Sequence, residues 1–425
     1  MLEKIQIKIN KQFLMVTALL IAINFILELY YVFFLSIDFN YFGFEADFSP
    51  IKYIEVKLLF FLFIAISYYI FKKSSFSYSI YILLLLFFFI PNSIIYAFMD
   101  NIRGPIYSIA ILLILFTLIA PIKFPIKTFN SSIYFKHILV VSIALFMLIP
   151  IALVFQFKFN LNTLLLSDIY ETRAIFTNII SSRLNYFYNW EVKIVIPVLL
   201  AFFLIQKKYI FAFFSFLILI YLFIISGNKA VYMTTLVTLF FYFIGGKSFI
   251  NKIKLFLFFL LIALIAIPLI DVYILNGFLL RGIFVMRVFF FPALLNYCYF
   301  DFFANVSLYF SENHFFNQYF HSPYELNSAY LIAINYFNTN EMYANNGIIS
   351  DGFMNLGYWG VLILTTLFSF IFMFFNSISI NARYFGIFFI FVFFFLSAPM
   401  FTIILTGGLW LLFIFALTVM KNTEK

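Results

Sequence analysis

Long apolar runs separated by short polar breaks set the pattern of this chain. Runs reaching the roughly 20 residues that cross a bilayer as a helix fall at about 13–35, 54–71, 78–98, 105–122, 137–156, 190–206, 209–226, 229–246, 254–276, 352–376, 384–400 and 402–420. These are aromatic-rich runs without the short alternating strands of a barrel, and backbone groups in hydrocarbon must be bonded within their own segment. The pattern therefore predicts an all-α, polytopic membrane protein of about 12 transmembrane helices, one integral membrane domain over 1–425. Two polar segments interrupt it, at 157–190 and at 277–351. Connections in compact bundles are usually short, so function is expected in these two. Within the longer one, 282–300 is apolar enough to be a further span. No Lys or Arg occurs between Arg287 and Arg383, while Asp301, Glu312, Glu325, Glu341 and Asp351 do, so the run reads as an interfacial or re-entrant helix of an external loop.

Composition fixes the class. Hydrophobic residues are 65% of the chain and charged residues 10%, against about half and a quarter in a soluble domain, which leaves no soluble domain over. The first run is too long for a signal-peptide core and no small-residue cleavage site follows it, so it is kept as a span. The single cysteine, Cys298, cannot form an internal disulfide. The net charge of +9 is explained by span orientation and calls for no nucleic acid. With a cytoplasmic N-terminus, 16 of the 26 basic residues fall on the inner side, accompanied by only Glu3 and Glu424 among the acids. Both termini are thus expected in the cytoplasm.

The type of basic residue adds chemistry. Fifteen of the twenty lysines are inner, whereas five of the six arginines, Arg103, Arg173, Arg183, Arg281 and Arg287, are outer. Lysine suffices as a topology signal, but arginine offers a planar fork that grips phosphate oxygens in pairs. An outward site for a phosphate-bearing ligand follows, although any one arginine is equally explained by a loop carboxylate or a lipid headgroup. Lys229, after Ser226-Gly227-Asn228 at a tight turn, joins the set or simply snorkels. Acid–base candidates are Glu171, Asp351, His314 and His321, with Asp351 equally readable as a helix cap and Glu171 as a partner of Arg173. Glu45 and Asp47 form an acidic pair in the first outer loop, of a kind that lipid-sugar-dependent glycosyltransferases often present. Three His and one Cys without ligand spacing give no metal site. No nucleotide or cofactor fingerprint is present, so the substrate is expected from the membrane.

Ser226-Gly227-Asn228-Lys229, the run Arg287-Val288-Phe289-Phe290-Phe291-Pro292-Ala293, and Asn346-Gly347-Ile348-Ile349-Ser350-Asp351-Gly352-Phe353-Met354-Asn355-Leu356-Gly357-Tyr358-Trp359-Gly360 carry a family resemblance. Through them the whole chain resembles the Wzy-type O-antigen polymerases, or oligosaccharide repeat unit polymerases. The resemblance implies a glycosyltransferase-C-like bundle with two large periplasmic loops in a bacterial inner membrane. It implies a metal-independent glycosyltransferase without cofactor that joins undecaprenyl-diphosphate-linked glycans, and pairing with a chain-length regulator protein. In that scheme Arg173, Arg281 and Arg287, helped by Lys229 and Arg103, hold the diphosphates, and Arg287 stabilises the leaving group. Asp351 or Glu171 orients or deprotonates the acceptor hydroxyl. Tyr186, Tyr188, Trp190, His314 and His321 meet the sugars, although aromatic residues at span ends also form interfacial belts. The alternatives are a flippase or transporter of lipid-linked oligosaccharides, another lipid-linked-sugar glycosyltransferase, and an O-antigen ligase. Ligases of the related type place a His shortly before the paired glycines, where this chain has Asn345 and Asn346.

Overall fold

The computed structural model describes residues 10–129, 132–156, 161–164, 168–228 and 230–421. Among these the chain is helical, with two isolated bridges and no strand. We number the main helices α1 (Lys11–Asp38), α2 (Pro50–Lys73), α3 (Ser75–Phe98), α4 (Gly104–Ile119), α5 (Ile133–Phe155), α6 (Ile169–Ile179), α7 (Ser182–Ile205), α8 (Tyr209–Ser226), α9 (Val231–Phe243), α10 (Phe249–Tyr273), α11 (Arg281–Phe302), α12 (Ser328–Phe337), α13 (Ile348–Ile378), α14 (Ala382–Ser397) and α15 (Leu409–Thr418). Nine of them, α1 to α3, α5, α7, α8, α10, α11 and α13, are long and apolar enough to cross a membrane. The chain is a polytopic membrane protein. Helix starts follow local chemistry. Ser74, Ser132 and Ser181 each accept a first-turn N–H at α3, α5 and α7, and Pro50 opens α2 where a missing donor costs nothing. Because α7 starts at Ser182, the polar segment predicted at 157–190 is shorter than expected and carries its own helix, α6.

The chain groups into two compact units. The first comprises 1–122, 248–373 and 395–400; the second comprises 123–247, 374–394 and 401–425. In the first unit α3 is buried on all sides and packs on α2, α4, α10 and α11. The loops after α1 and α3 are stitched together: Asp47 and Ser49 donate backbone N–H groups to Phe98 and Ala97 at 2.9 and 2.8 Å, and Lys52 pairs with Asp100 at 2.7 Å. These bonds place the ends of α1 and α3 and the starts of α2 and α4 at one end of this unit.

Helix α11 starts and finishes at that same end. Arg281 at its start pairs with Asp38 of α1, and Phe300 near its finish packs against Gly104 of α4. Its middle reaches further in, where Phe289 stacks on Phe87 with ring centroids 5.3 Å apart. Length alone would make α11 a span; its contacts return it to the end from which it came. Its first ten residues, Arg281–Phe290, are π-helical, and Pro292 sits in the first turn of the α-helical part.

Helix α13 is two helices joined by a bend. Leu356 and Gly357 leave helical geometry, Gly357 at φ 59° and ψ −144°, a region tolerated only by glycine. The two arms touch through glycines: a Cβ on Gly360 would overlap the carbonyl oxygen of Gly352, and one on Gly352 would lie 2.7 Å from the N of Val361. The first arm is thus a short buried helix, and the longer arm from Tyr358 supplies the span. Gly360→Ala is expected to cost about 1–3 kcal/mol by overpacking, read as a lowered unfolding midpoint of the purified protein, whereas Gly277→Ala, with its nearest neighbour 3.8 Å away, leaves the midpoint in place.

Candidate functional site

The arginines separate by what they already hold. Arg281 is buried and fully engaged: its backbone N–H and Nε donate to Asp271 at 2.8 and 3.3 Å, one terminal nitrogen to Asp38 at 2.7 Å and the other to the Gly277 carbonyl at 2.8 Å. Its guanidinium also lies 4.5 Å from the Phe34 ring centroid. This is a buried ion cluster closing the turn between α10 and α11, not a free phosphate fork, and the expectation for Arg281 is revised accordingly. Asp271 is completely buried, so the cluster is satisfied only while the guanidinium stays.

Arg287, six residues on, has the opposite setting. It is exposed on the π-helical part of α11 and has no hydrogen-bond or ion-pair partner among the described residues. At the same end of the unit, the Arg103 side chain is 62% exposed but hydrogen-bonded through Nε to the Tyr96 hydroxyl at 3.1 Å and 3.6 Å from Glu55. Glu55 in turn accepts from Tyr96 and Tyr107, so Arg103 belongs to a polar clasp joining α2, α3 and α4. Glu45 and Asp47 are exposed in the loop after α1. Below that loop lies a cavity of about 520 Å³ lined by Tyr31, Val32, Phe48, Tyr53 and Phe98. Its two phenols are committed, Tyr31 to the Glu45 carbonyl and Tyr53 to Glu28, so it offers a chiefly apolar wall.

Asp351 is only 2% exposed. One carboxylate oxygen accepts the Met400 backbone N–H at 2.8 Å, and the other accepts the Asn355 amide at 3.0 Å. Asn355 then accepts the Phe310 N–H through its own side-chain oxygen at 2.6 Å. This is the geometry of a buried fastener, which leaves no accessible oxygen to take a proton from an acceptor hydroxyl. Beside it Ser350, Asn296 and Asn92 form a buried hydrogen-bonded chain at 2.6 and 3.2 Å. His314 and His321 are exposed in the segment between α11 and α12. That segment is clamped by Glu312, which accepts from the N–H and hydroxyl of Ser328 at 2.5 and 2.8 Å at the start of α12. Burial of the Glu312 carboxyl raises its pKa above the usual carboxylate range, and the Ser328 bonds pull the other way.

The second unit holds the remaining candidates. Arg173 is exposed on α6 and donates to the Gly227 carbonyl at 3.1 Å; Glu171 is exposed on the same helix. Tyr188 is buried with its hydroxyl bonded to Ser226 at 2.6 Å, which removes it from any sugar-stacking surface. Trp190 donates to the Leu405 carbonyl at 2.7 Å and stands edge-on to Trp410. Tyr186 remains 41% exposed beside Trp190. Lys229 lies outside the described residues. Arg183, grouped with the outer arginines but given no separate role, is exposed and unpartnered among the described residues. Next to α6 a cavity of about 340 Å³ is lined by Val154, Phe155, Ile175, Ile179, Ile224 and Ile225.

Sequence reasoning missed two features. Glu55 carries no motif, and its clasp with Tyr96, Tyr107 and Arg103 joins three helices that only the fold brings together. Glu191, fully buried in a π-helical turn of α7, leaves both carboxylate oxygens without a partner among the described residues. An acidic residue ten positions into a span start is a readable signal, but the predicted start of that span at 190 put Glu191 at its edge.

Compared with known protein families, curated proteins and solved structures, the chain matches none.

Arg281→Ala strands Asp271 in a dry site and is expected to cost about 3–5 kcal/mol. Arg287→Ala, which removes no hydrogen bond or ion pair among the described residues, is expected to stay within about 0.5 kcal/mol of the parent. Unfolding of the purified variants in detergent separates the two; equal losses would refute the division between structural and free arginine.

Proposed function

We propose that this protein polymerises oligosaccharides carried on undecaprenyl diphosphate at the periplasmic face of a bacterial inner membrane. One observation carries the reading: Arg287 is an exposed guanidinium with no counterion among the described residues, on an apolar helix whose two ends share one end of the first unit. An unpaired guanidinium beside hydrocarbon is costly unless an anion comes to it, and a lipid diphosphate brings that anion at the right depth. The apolar cavity at that end suits an isoprenoid chain.

In this mechanism Arg287 holds the donor diphosphate and stabilises the charge that develops on it as the glycan leaves. The anomeric carbon of the departing glycan is attacked by a hydroxyl of the second lipid-linked repeat unit; that hydroxyl loses its proton, and the lipid diphosphate departs as the anion. The second unit has exposed arginines of its own, Arg173, which donates to the Gly227 carbonyl, and Arg183. Asp351 acts by positioning. The proton of the attacking hydroxyl passes to solvent water. Arg287→Ala, present in the membrane at parental level, is expected to lower polymerisation about 10²-fold, so that a gel of the cell-surface glycan shows single repeats in place of the ladder. A full ladder from this variant would remove the reading.

The buried, unpartnered carboxyl of Glu191 favours a second reading, a transporter of lipid-linked oligosaccharides, because ionisable groups inside spans mark transport paths. Under that reading Glu191→Gln abolishes delivery of lipid-linked repeats to the outer leaflet while Arg287→Ala spares it. Under the polymerase reading Glu191→Gln leaves delivery intact, which a periplasmic labelling assay of the carrier-linked glycan would register.

A further inference from the structure

Between α11 and α12 the chain makes consecutive tight turns and puts aromatic faces outward. Tyr309 and Phe320 stack with ring centroids 5.6 Å apart and planes 25° from parallel, and they remain 50% and 45% exposed. Tyr319 beside them is 68% exposed. Hydrophobic burial would have turned these rings inward; here the backbone turns them out at a cost. Tyr309 and Phe310 adopt φ of 50° and 60°, a left-handed conformation that bulky residues avoid unless the surroundings impose it.

The surroundings that impose it belong to the first arm of α13. Leu308 and Tyr309 donate N–H groups to the carbonyls of Met354 and Asn355, both at 3.0 Å, and the strained Phe310 donates to the Asn355 side chain at 2.6 Å. Asn355 is itself oriented by Asp351, which Met400 holds in place. The buried aspartate of the glycine-rich stretch is thus the root of a chain of bonds whose outer end is a rigid pair of stacked rings.

We propose that Tyr309, Tyr319 and Phe320 form a platform that binds the glycan part of the substrate, and that it selects neutral or amino-bearing sugars against acidic ones. The platform rests on the polymerase reading for the kind of molecule delivered to it. Flat apolar ring faces stack on the C–H faces of sugars, and a pre-formed surface binds without ordering cost. The selection comes from charge. Glu325 and Glu341 are exposed, and residues 303–347 contain no Lys or Arg. Such a surface repels a glycan carrying carboxylates, and it equally repels the anionic face of a bilayer, which argues against the rings being a lipid anchor.

Hydrogen exchange over 308–320, measured on the full chain in phosphatidylcholine nanodiscs, tests this with three tetrasaccharides: N-acetylglucosamine, glucosamine and galacturonate oligomers. The first two are expected to slow exchange and the third not to. Tyr309→Ala and Phe320→Ala should each weaken the effect about five- to tenfold, while Phe25→Ala on the exposed face of α1 keeps it. Asn355→Ala should speed exchange at 308–310 before any sugar is added, marking its positioning role. Protection by none of the oligomers, or equal protection by galacturonate, overturns the proposal. Exchange that responds to added anionic lipid and not to sugar assigns the rings to the membrane and overturns it too. The polymerase reading fails separately: an intact ladder from Arg287→Ala with sugar protection preserved leaves the platform standing without it.

Discussion

A charge or hydrogen-bonding group left alone in hydrocarbon costs several kcal/mol, and that cost organises this chain. It forces the backbone into helices. It also pairs buried charges with partners: Asp271 holds Arg281, Glu28 holds Lys57 and Asn24, and Asp351 holds Met400 and Asn355. The same rule gives meaning to the groups that break it. Among the described residues, Arg287 and Arg183 are exposed without a hydrogen-bond or ion-pair partner, and Glu191 is buried without one. The functional readings rest on these groups rather than on the paired ones.

Much of the architecture was legible before any coordinate. Hydropathy located the apolar helices because span length is set by the bilayer, a constraint outside the protein and therefore visible in sequence. Depth and direction were not visible in the same way. The 22 residues of α11 have the composition of a span, and only the contacts of Arg281 with Asp38 and of Phe300 with Gly104 bring both ends together. The bend at Gly357 was equally hidden, since glycine in an apolar run is compatible with a continuous helix; it is the close approach of Gly352 to Gly360 that requires both to lack a side chain. The start of α7 was missed by eight residues because Arg183, Asn185 and Asn189 are too polar for a hydropathy window, yet Ser181 caps a helix there all the same.

The arginine argument shows how far residue type carries and where it stops. An excess of guanidinium on one side says that forks are needed there, but not whether the fork grips the protein itself or a ligand. Arg281 and Arg287 look alike along the chain. One follows a tight turn, where Asp271 and the Gly277 carbonyl converge on it; the other emerges on the exposed side of the helix. Asp38, remote in sequence, completes the set of partners around Arg281.

Asp351 makes the same point from the other direction. A carboxylate next to paired glycines reads as chemistry, because acids at glycine-rich bends often face a substrate. Here the glycines let two helix arms pack backbone to backbone, and the aspartate fills the resulting gap with two hydrogen bonds that no solvent reaches. A group so placed cannot exchange protons with a substrate without unfastening Met400 and Asn355. Yet removing it would not be merely a loss of stability, because Asn355 passes its orientation on to Phe310 and the strained turn beyond. Strain at a surface persists only when something rigid beneath imposes it. A buried residue can therefore matter to recognition through the shape it enforces, without ever touching what is recognised.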